Sequence, residues 1–230
     1  MSILKDNFIF FKKEDSMDLI IQIKTKEKGI VEKSISGEIY FLKNSLIDVY
    51  QNSPEIANVK MENSAPDKSL YSQYGCRFTG ISRSIIYELN KQNIKDLTIL
   101  KLDELADSGG EKFDAWKDGY YPNGTPFYDI LDGQVLVNKV NKLYKTNLKY
   151  NLLTQKFGMI SLVEYIQNDH PITIKMKQLY SKGDHFVNVT AAIINDNELY
   201  FKMKETYNNY NGYDGFWINW NYPLTYEVII

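Results

Sequence analysis

Cysteine and histidine, the residues that thiol chemistry needs, are scarce in this chain: its 230 residues include one cysteine and two histidines. Cys76 follows Gly75 where a loop is predicted to become a helix, and His185 begins a predicted β-strand. A thiol attacks a carbonyl group as the thiolate, and the N-terminus of a helix and a neighbouring imidazolium both favour that form. If the protein performs thiol chemistry, Cys76 is therefore the nucleophile and His185 its base.

Two groups near the cysteine are candidates to stabilise the negative charge that develops on an attacked carbonyl oxygen. One is the backbone N–H of Cys76, and the other is the side-chain amide of Gln73, three residues upstream. The second histidine, His170, precedes Pro171 at a predicted turn and is an alternative base. A structural alternative also stays open, because a lone cysteine and a histidine on an apolar strand face are often ordinary core residues.

The cysteine is predicted to lie on the polar side of its helix. A helix over residues 75–91 places its apolar side chains in one sector, at about 100° per residue. The members of this sector are Phe78, Ile81, Ile85 and Leu89. Cys76 lies opposite the centre of the sector, whereas a cysteine that only filled the core would share it.

The strand that begins at His185 has an apolar side of its own. Alternation along a strand puts the imidazole on the same side as Val187 and Val189. We expect this side to face the packed helices, because a base for a cysteine on a helix must point there.

The remaining pattern predicts an α+β fold with a largely antiparallel sheet packed on helices. Strands are expected at residues 7–11, 18–25, 34–42, 148–153, 171–177, 184–194, 198–204 and 224–230, and further helices at 44–51, 103–106, 133–144 and 159–167. Residues 52–70 and 108–126 are rich in turn-forming residues and are predicted as loops. The predicted division is a small β-rich N-terminal region, residues 1–62, followed by a domain of residues 63–230.

Composition narrows the classes of partner. The chain has 27 basic and 29 acidic residues, a formal net charge of −2, and no basic stripe. We therefore expect no nucleic-acid partner and no membrane binding. One cysteine cannot form an internal disulfide or a cysteine-based zinc site, so we expect no metal, no cofactor and a reducing, cytoplasmic location. The sequence leaves the oligomeric state open.

Three segments occur in an order similar to that of a known enzyme class. They are YSQYGC at 71–76, a predicted helix followed by HPITI at 162–174, and GDHFV at 183–187. Together they resemble papain-like cysteine peptidases, in the compact branch of bacteriocin-processing, double-glycine leader peptidases and their bacterial relatives. The resemblance covers residues 68–206 and implies a papain-like core with a peptide or protein substrate. It also implies that Cys76 is the nucleophile, His185 the general base and acid, and Gln73 an oxyanion donor, although Gln73 is closer to the cysteine than the family's glutamine.

The group that orients the histidine does not occupy the family's usual position. The family carries Asp or Asn just after the strand that follows the histidine strand, where this chain has Lys-Met-Lys at 202–204. A catalytic imidazole needs a hydrogen bond at its second ring nitrogen. We predict that Glu205, Asn208 or a backbone carbonyl supplies that bond to His185, in this order of preference.

Two functions are consistent with these observations. The first is a thiol-dependent hydrolase or acyltransferase that acts on a peptide or amide bond through Cys76 and His185. The alternative is a catalytically inactive papain-like protein that binds a peptide or glycan through the same groove. Residues 207–222, rich in Tyr, Trp, Asn and Gly, are either a rim for such a ligand or a loop packed over the domain's end.

Overall fold

A computed structural model describes residues 19–25, 29–35, 37–59, 75–108, 115–120, 126–154, 159–177, 184–195, 198–207, 215–219 and 223–230. Its strands are β1 (Leu19–Thr25), β2 (Gly29–Ile35), β3 (Glu38–Phe41), β4 (Trp116–Tyr120), β5 (Pro126–Leu131), β6 (Tyr150–Thr154), β7 (Ile172–Lys177), β8 (Asp184–Asn195), β9 (Glu198–Lys204), β10 (Trp217–Asn219) and β11 (Pro223–Ile229). Its helices are α1 (Cys76–Lys91), α2 (Ile99–Asp107), α3 (Gly133–Tyr144) and α4 (Met159–Gln167).

Nine of the described strands form one sheet, in the order β2-β1-β10-β9-β8-β7-β11-β6, with β3 also paired to β8. Within the described residues every pairing in this sheet is antiparallel except that of β1 with β10. The long strand β8 pairs with β7 along its first half and with β3 along its second, so β7 and β3 share one edge of it. The predicted α+β class is thus confirmed.

Helices cover both faces of the sheet, a division that the sequence pattern did not specify. Val187 and Val189 of β8 pack in a core with Leu162 and Ile166 of α4. Asn188, which points to the opposite face, donates through Nδ2 to the carbonyl oxygen of Gly80 on α1, at 2.9 Å. The apolar side of β8 therefore faces α4, and the cysteine helix lies against the polar side. The expectation that the side shared by His185, Val187 and Val189 faces the cysteine helix is thus wrong for the two valines, and only His185, at the beginning of the strand, reaches Cys76. In a strand buried on both faces, alternation alone does not show which face the cysteine helix covers.

Helix α1 is buried along most of its length. Its apolar sector packs with α2, α3 and the last strand in one core, as the periodicity predicted; the members of the sector are Phe78, Ile81, Ile85 and Leu89. Its other side carries buried Thr79, Arg83 and Ser84 and lies on the sheet. The helix approaches β7 so closely that a Cβ atom at Gly80 would lie 2.7 Å from Cγ2 of Thr173. Glycine at this position permits the contact.

Besides the single strand expected at 34–42, which is divided between β2 and β3, two local predictions are wrong. The helix expected at 44–51 is not formed. The segment is instead extended and bound to other parts of the chain: Asn44 N–H donates to the Tyr87 hydroxyl at 3.2 Å, and Gln51 N–H donates to the Thr206 carbonyl at 2.7 Å. The loop expected at 108–126 contains β4 and the start of β5, which form a separate hairpin. Tertiary contacts override local propensity in the first case.

The N-terminal strands belong to the main sheet: β1 pairs with β10, and β3 pairs with β8. Ile56, in the segment predicted as a loop, is buried in the same core as α1. The predicted boundary between residues 62 and 63 and the strand at 7–11 lie outside the described residues. In the part of the chain that the structure describes, no helix combines the length and apolar character needed to cross a membrane.

Candidate active site

Cys76 is the first residue of α1, and Gly75 is its N-cap. The first bond of the helical ladder runs from Thr79 N–H to the Gly75 carbonyl at 2.9 Å. The N–H groups of Cys76 and its two successors precede that ladder, as at any helix N-terminus, and point out of the helix end. The side chain of Cys76 is partly exposed. A partly exposed thiol at the positive end of a helix dipole is in a position to react.

His185 lies beside Cys76 at the beginning of β8 and is 5% exposed. Its Nε2 lies 2.5 Å from Oε1 of Glu205, and the side chain of Cys76 lies close enough to raise the His185 pKa. Because Glu205 occupies Nε2, Nδ1 is the ring nitrogen that remains for the thiol. The imidazole therefore bridges the two side chains.

The surroundings of His185 favour its protonated form. Burial by itself lowers the pKa of His185, but the hydrogen bonds and charges of Cys76 and Glu205 outweigh it and raise that pKa from 6.5 to about 10. The ring is therefore an imidazolium at neutral pH, and it is flanked by two groups that can carry negative charge.

Glu205 follows the last residue of β9 and is fully buried. Besides the imidazole, its Oε1 accepts hydrogen bonds from the backbone N–H groups of Thr206 at 2.7 Å and Tyr207 at 3.3 Å. Nitrogen donors surround this oxygen, which suits a carboxylate acceptor. The structure thus brings together Cys76, His185 and Glu205, the first of the three acceptors proposed from the sequence.

The other candidates are placed as follows. Gln73 and Asn208 lie outside the described residues. His170 lies at the far end of α1, where its Nδ1 is 3.0 Å from Oε1 of Glu88, and Glu88 is about three helical turns from Cys76. Lys204, in the position where the family carries its acid, pairs with Asp48.

A partly buried ion pair next to the cysteine had no signal in the sequence. Arg77 donates through Nε to Oε1 of Glu227 on β11 at 2.9 Å, and through Nη1 to the carbonyl of Leu131 at 2.7 Å. Burial raises the pKa of Glu227, whereas Arg77 lowers it. These bonds fasten the first turn of α1 to the main sheet and to the end of β5. The partners Arg77 and Glu227 are 150 residues apart, so no local pattern reveals them.

Asn188 fixes α1 on the sheet further along the helix. Its Nδ2 donates to the Gly80 carbonyl at 2.9 Å and to Oγ1 of Thr173 at 3.1 Å. Asn188 is fully buried, and these bonds satisfy both amide hydrogens. With Arg77, it holds the cysteine helix at a fixed distance from the strand that carries His185.

The arrangement is suited to moving one proton between a thiol and a leaving group. A thiolate at Cys76 would be stabilised by the neighbouring imidazolium, whose ring angle is fixed by Glu205. Among the described residues, no group of three or more His, Cys, Asp or Glu side chains is arranged to hold a metal ion.

Comparison with protein-family models gives no match, and a search of curated proteins gives none either.

Proposed function

We propose that this protein is a thiol-dependent hydrolase or acyltransferase that acts on a peptide or amide bond, with a papain-like arrangement of its site. The observation that carries the proposal is the row of side chains Cys76, His185 and Glu205, in which Nε2 of His185 lies 2.5 Å from Oε1 of Glu205 and Cys76 is near enough to raise the His185 pKa. Such a row supplies a nucleophile, a proton carrier and a group that orients the carrier.

In the first half of the reaction, the Cys76 thiolate attacks the carbonyl carbon of the scissile bond. Negative charge moves to the carbonyl oxygen, where the backbone N–H groups at the start of α1 are placed to stabilise it. The protonated His185 gives its proton to the leaving nitrogen as the C–N bond breaks. An amine departs, and a thioester joins the acyl group to Cys76.

In the second half, water or an amine attacks the thioester. The now neutral His185 takes a proton from the attacking group, and the C–S bond breaks to restore the thiolate. Attack by water gives hydrolysis, and attack by an amine gives acyl transfer. Glu205 keeps the ring in one orientation throughout.

The order of elements supports a papain-like class. The cysteine begins a helix that packs on an antiparallel sheet, the histidine begins a strand, and the orienting acid follows the next strand in the sequence. The motifs at 71–76 and 183–187 point to the same class. A glutamate takes the part that Asp or Asn plays in the family.

The enzyme is favoured over the alternative, an inactive binding protein on the same fold. A groove that only binds has no need of an imidazole held between a thiol and a carboxylate. The aromatic segment that would serve the alternative lies largely outside the described residues.

The proposal is tested with a mixture of synthetic peptides, with and without glycinamide as an acyl acceptor. Mass spectrometry should detect cleaved or amidated peptides with the wild-type protein and none with Cys76→Ala. Glu205→Gln should act more slowly. Products that form equally with wild type and Cys76→Ala, or peptides left intact by a folded wild type across a diverse mixture, would contradict the proposal.

A further inference from the structure

Arg83 is a charged residue buried in the middle of α1. Its side chain is fully shielded from solvent, and it lies about two helical turns from Cys76. A buried guanidinium is costly unless its N–H groups are well satisfied. The position of its hydrogen-bond partners therefore indicates what the residue does there.

The partners of Arg83 converge on the segment that carries the orienting acid. Nη1 donates to the backbone carbonyl of Glu205 at 2.6 Å and to Oδ1 of Asn188 at 3.3 Å. Nε donates to the carbonyl of Val49 at 2.9 Å, and the guanidinium lies 4.7 Å from the centre of the Tyr50 ring. One side chain thus joins α1, the end of β9 and the N-terminal segment.

Glu205 is consequently held at both ends. Its carbonyl is bound by Arg83, and its carboxylate is bound by His185. The next residue, Thr206, is fixed as well: its carbonyl accepts from Gln51 N–H at 2.7 Å, and its hydroxyl donates to the Phe186 carbonyl at 2.7 Å. With the main chain fixed on both sides, the carboxylate has little freedom to turn away from the imidazole.

We propose that Arg83 is a positioning residue of the active site, which holds the Glu205 main chain so that its carboxylate meets His185, and which ties that contact to residues 49–51. This inference deepens the proposed function and rests on it for its catalytic meaning. Arg83 acts through Glu205 and takes no part in bond making or breaking.

The test is an NMR titration of the histidine ring in Arg83→Lys. Lysine keeps the charge but has no planar fork, so it cannot bind the Val49 and Glu205 carbonyls in the same geometry. The chain has two histidines, and His170→Gln assigns their signals. We expect the His185 pKa, about 10 in the wild type, to fall by about one pH unit or more.

Tyr87→Phe is the matched control on the same helix. It removes buried hydrogen bonds of the Tyr87 hydroxyl with Asp169 and Asn44, which belong to a different part of the fold. This variant should leave the His185 titration unchanged. An unshifted titration in Arg83→Lys, or an equal shift in Tyr87→Phe, would overturn the inference.

A double variant separates positioning from a general structural effect. If Arg83 acts through Glu205, Arg83→Lys should cause no further shift in a Glu205→Gln background, and additive shifts would refute that path. Should Arg83→Lys fail to fold, Tyr50→Leu, which removes the ring beside the guanidinium, should shift the titration in the same direction. No shift in a folded Tyr50→Leu would then count against the inference.

The titration needs no substrate, so its outcome is independent of the peptide assay. A shifted titration together with an inactive wild type would defeat the proposed function and leave the role of Arg83 in placing Glu205. An active wild type with an unshifted titration would support the proposed function and refute the role of Arg83 in placing Glu205.

Discussion

His185 shows how two neighbouring side chains convert an ordinary imidazole into one suited to acid–base work. Burial alone would favour the neutral ring, yet the thiol on one side and the carboxylate on the other make the charged ring the stable form. The same contacts fix the ring's orientation through Nε2. Cys76 and Glu205 therefore set both the protonation state and the orientation of the His185 ring.

Glu205→Gln is expected to lower the His185 pKa, because an amide oxygen accepts a hydrogen bond but carries no negative charge. In the wild type the raised pKa means that the ring keeps its proton well above pH 6.5 and loses it near about 10. In the variant this loss should occur at a lower pH by about one unit or more. NMR titration of the ring measures the His185 pKa in the wild type and in the variant. Identical titration curves would show that the carboxylate does not stabilise the imidazolium.

Helix α1 holds the nucleophile in place through contacts that are mostly polar on one side and apolar on the other. Arg77, Asn188 and the close approach at Gly80 fix it to the sheet. The apolar sector fixes it to α2 and α3. The distance between Cys76 and His185 depends on both sets.

Gly80→Ala should destabilise the protein despite the higher helix propensity of alanine. The added Cβ would lie 2.7 Å from Cγ2 of Thr173, and overpacking of this kind typically costs about 1–3 kcal/mol against a propensity gain of about 1 kcal/mol. Thr173→Ser removes that methyl group and retains the hydroxyl. The double variant should regain stability in urea unfolding, and failure to do so would show that the contact is not what makes glycine necessary.

The whole molecule is built so that its N-terminal strands and the segment after them complete the domain. β1 and β3 pair with strands of the main sheet, and residues 49–51 bind both Arg83 and Thr206. Removing this region would expose sheet edges and the main chain around Glu205. The N-terminal region thus contributes to the stability of the site.

Ile56→Ala should cost about 2–5 kcal/mol in the free energy of unfolding, although the sequence predicted a loop at this position. Ile56 is 1% exposed and packs in the core of α1. Its neighbour Glu55 is exposed, so Glu55→Ala should change stability by less than about 0.5 kcal/mol. Equal effects of the two substitutions on urea unfolding would contradict the packing of this segment.

Much of the site was predictable because its signals are local. The span of α1 follows from apolar spacing within one helix. The candidate acceptors for His185 followed from the residues that come directly after Lys204, among which Glu205 is the first that carries a carboxylate. The partners of Arg77 and Arg83 were not predictable, since each bond joins residues far apart in the chain. The extended path of residues 44–51 escaped prediction for the same reason, because its backbone donors bind residues of α1 and of the segment after β9.

The most direct test of the account is the rate at which iodoacetamide alkylates Cys76 as a function of pH, in the wild type and in His185→Ala. The thiolate–imidazolium pair predicts rapid alkylation near about pH 6, where a free cysteine is almost entirely thiol, and a much slower reaction in the variant. Intact-mass analysis reads both rates, with Cys76→Ser as the unlabelled control. Equal rates in wild type and variant, or protection of Cys76 until the protein is denatured, would contradict the account.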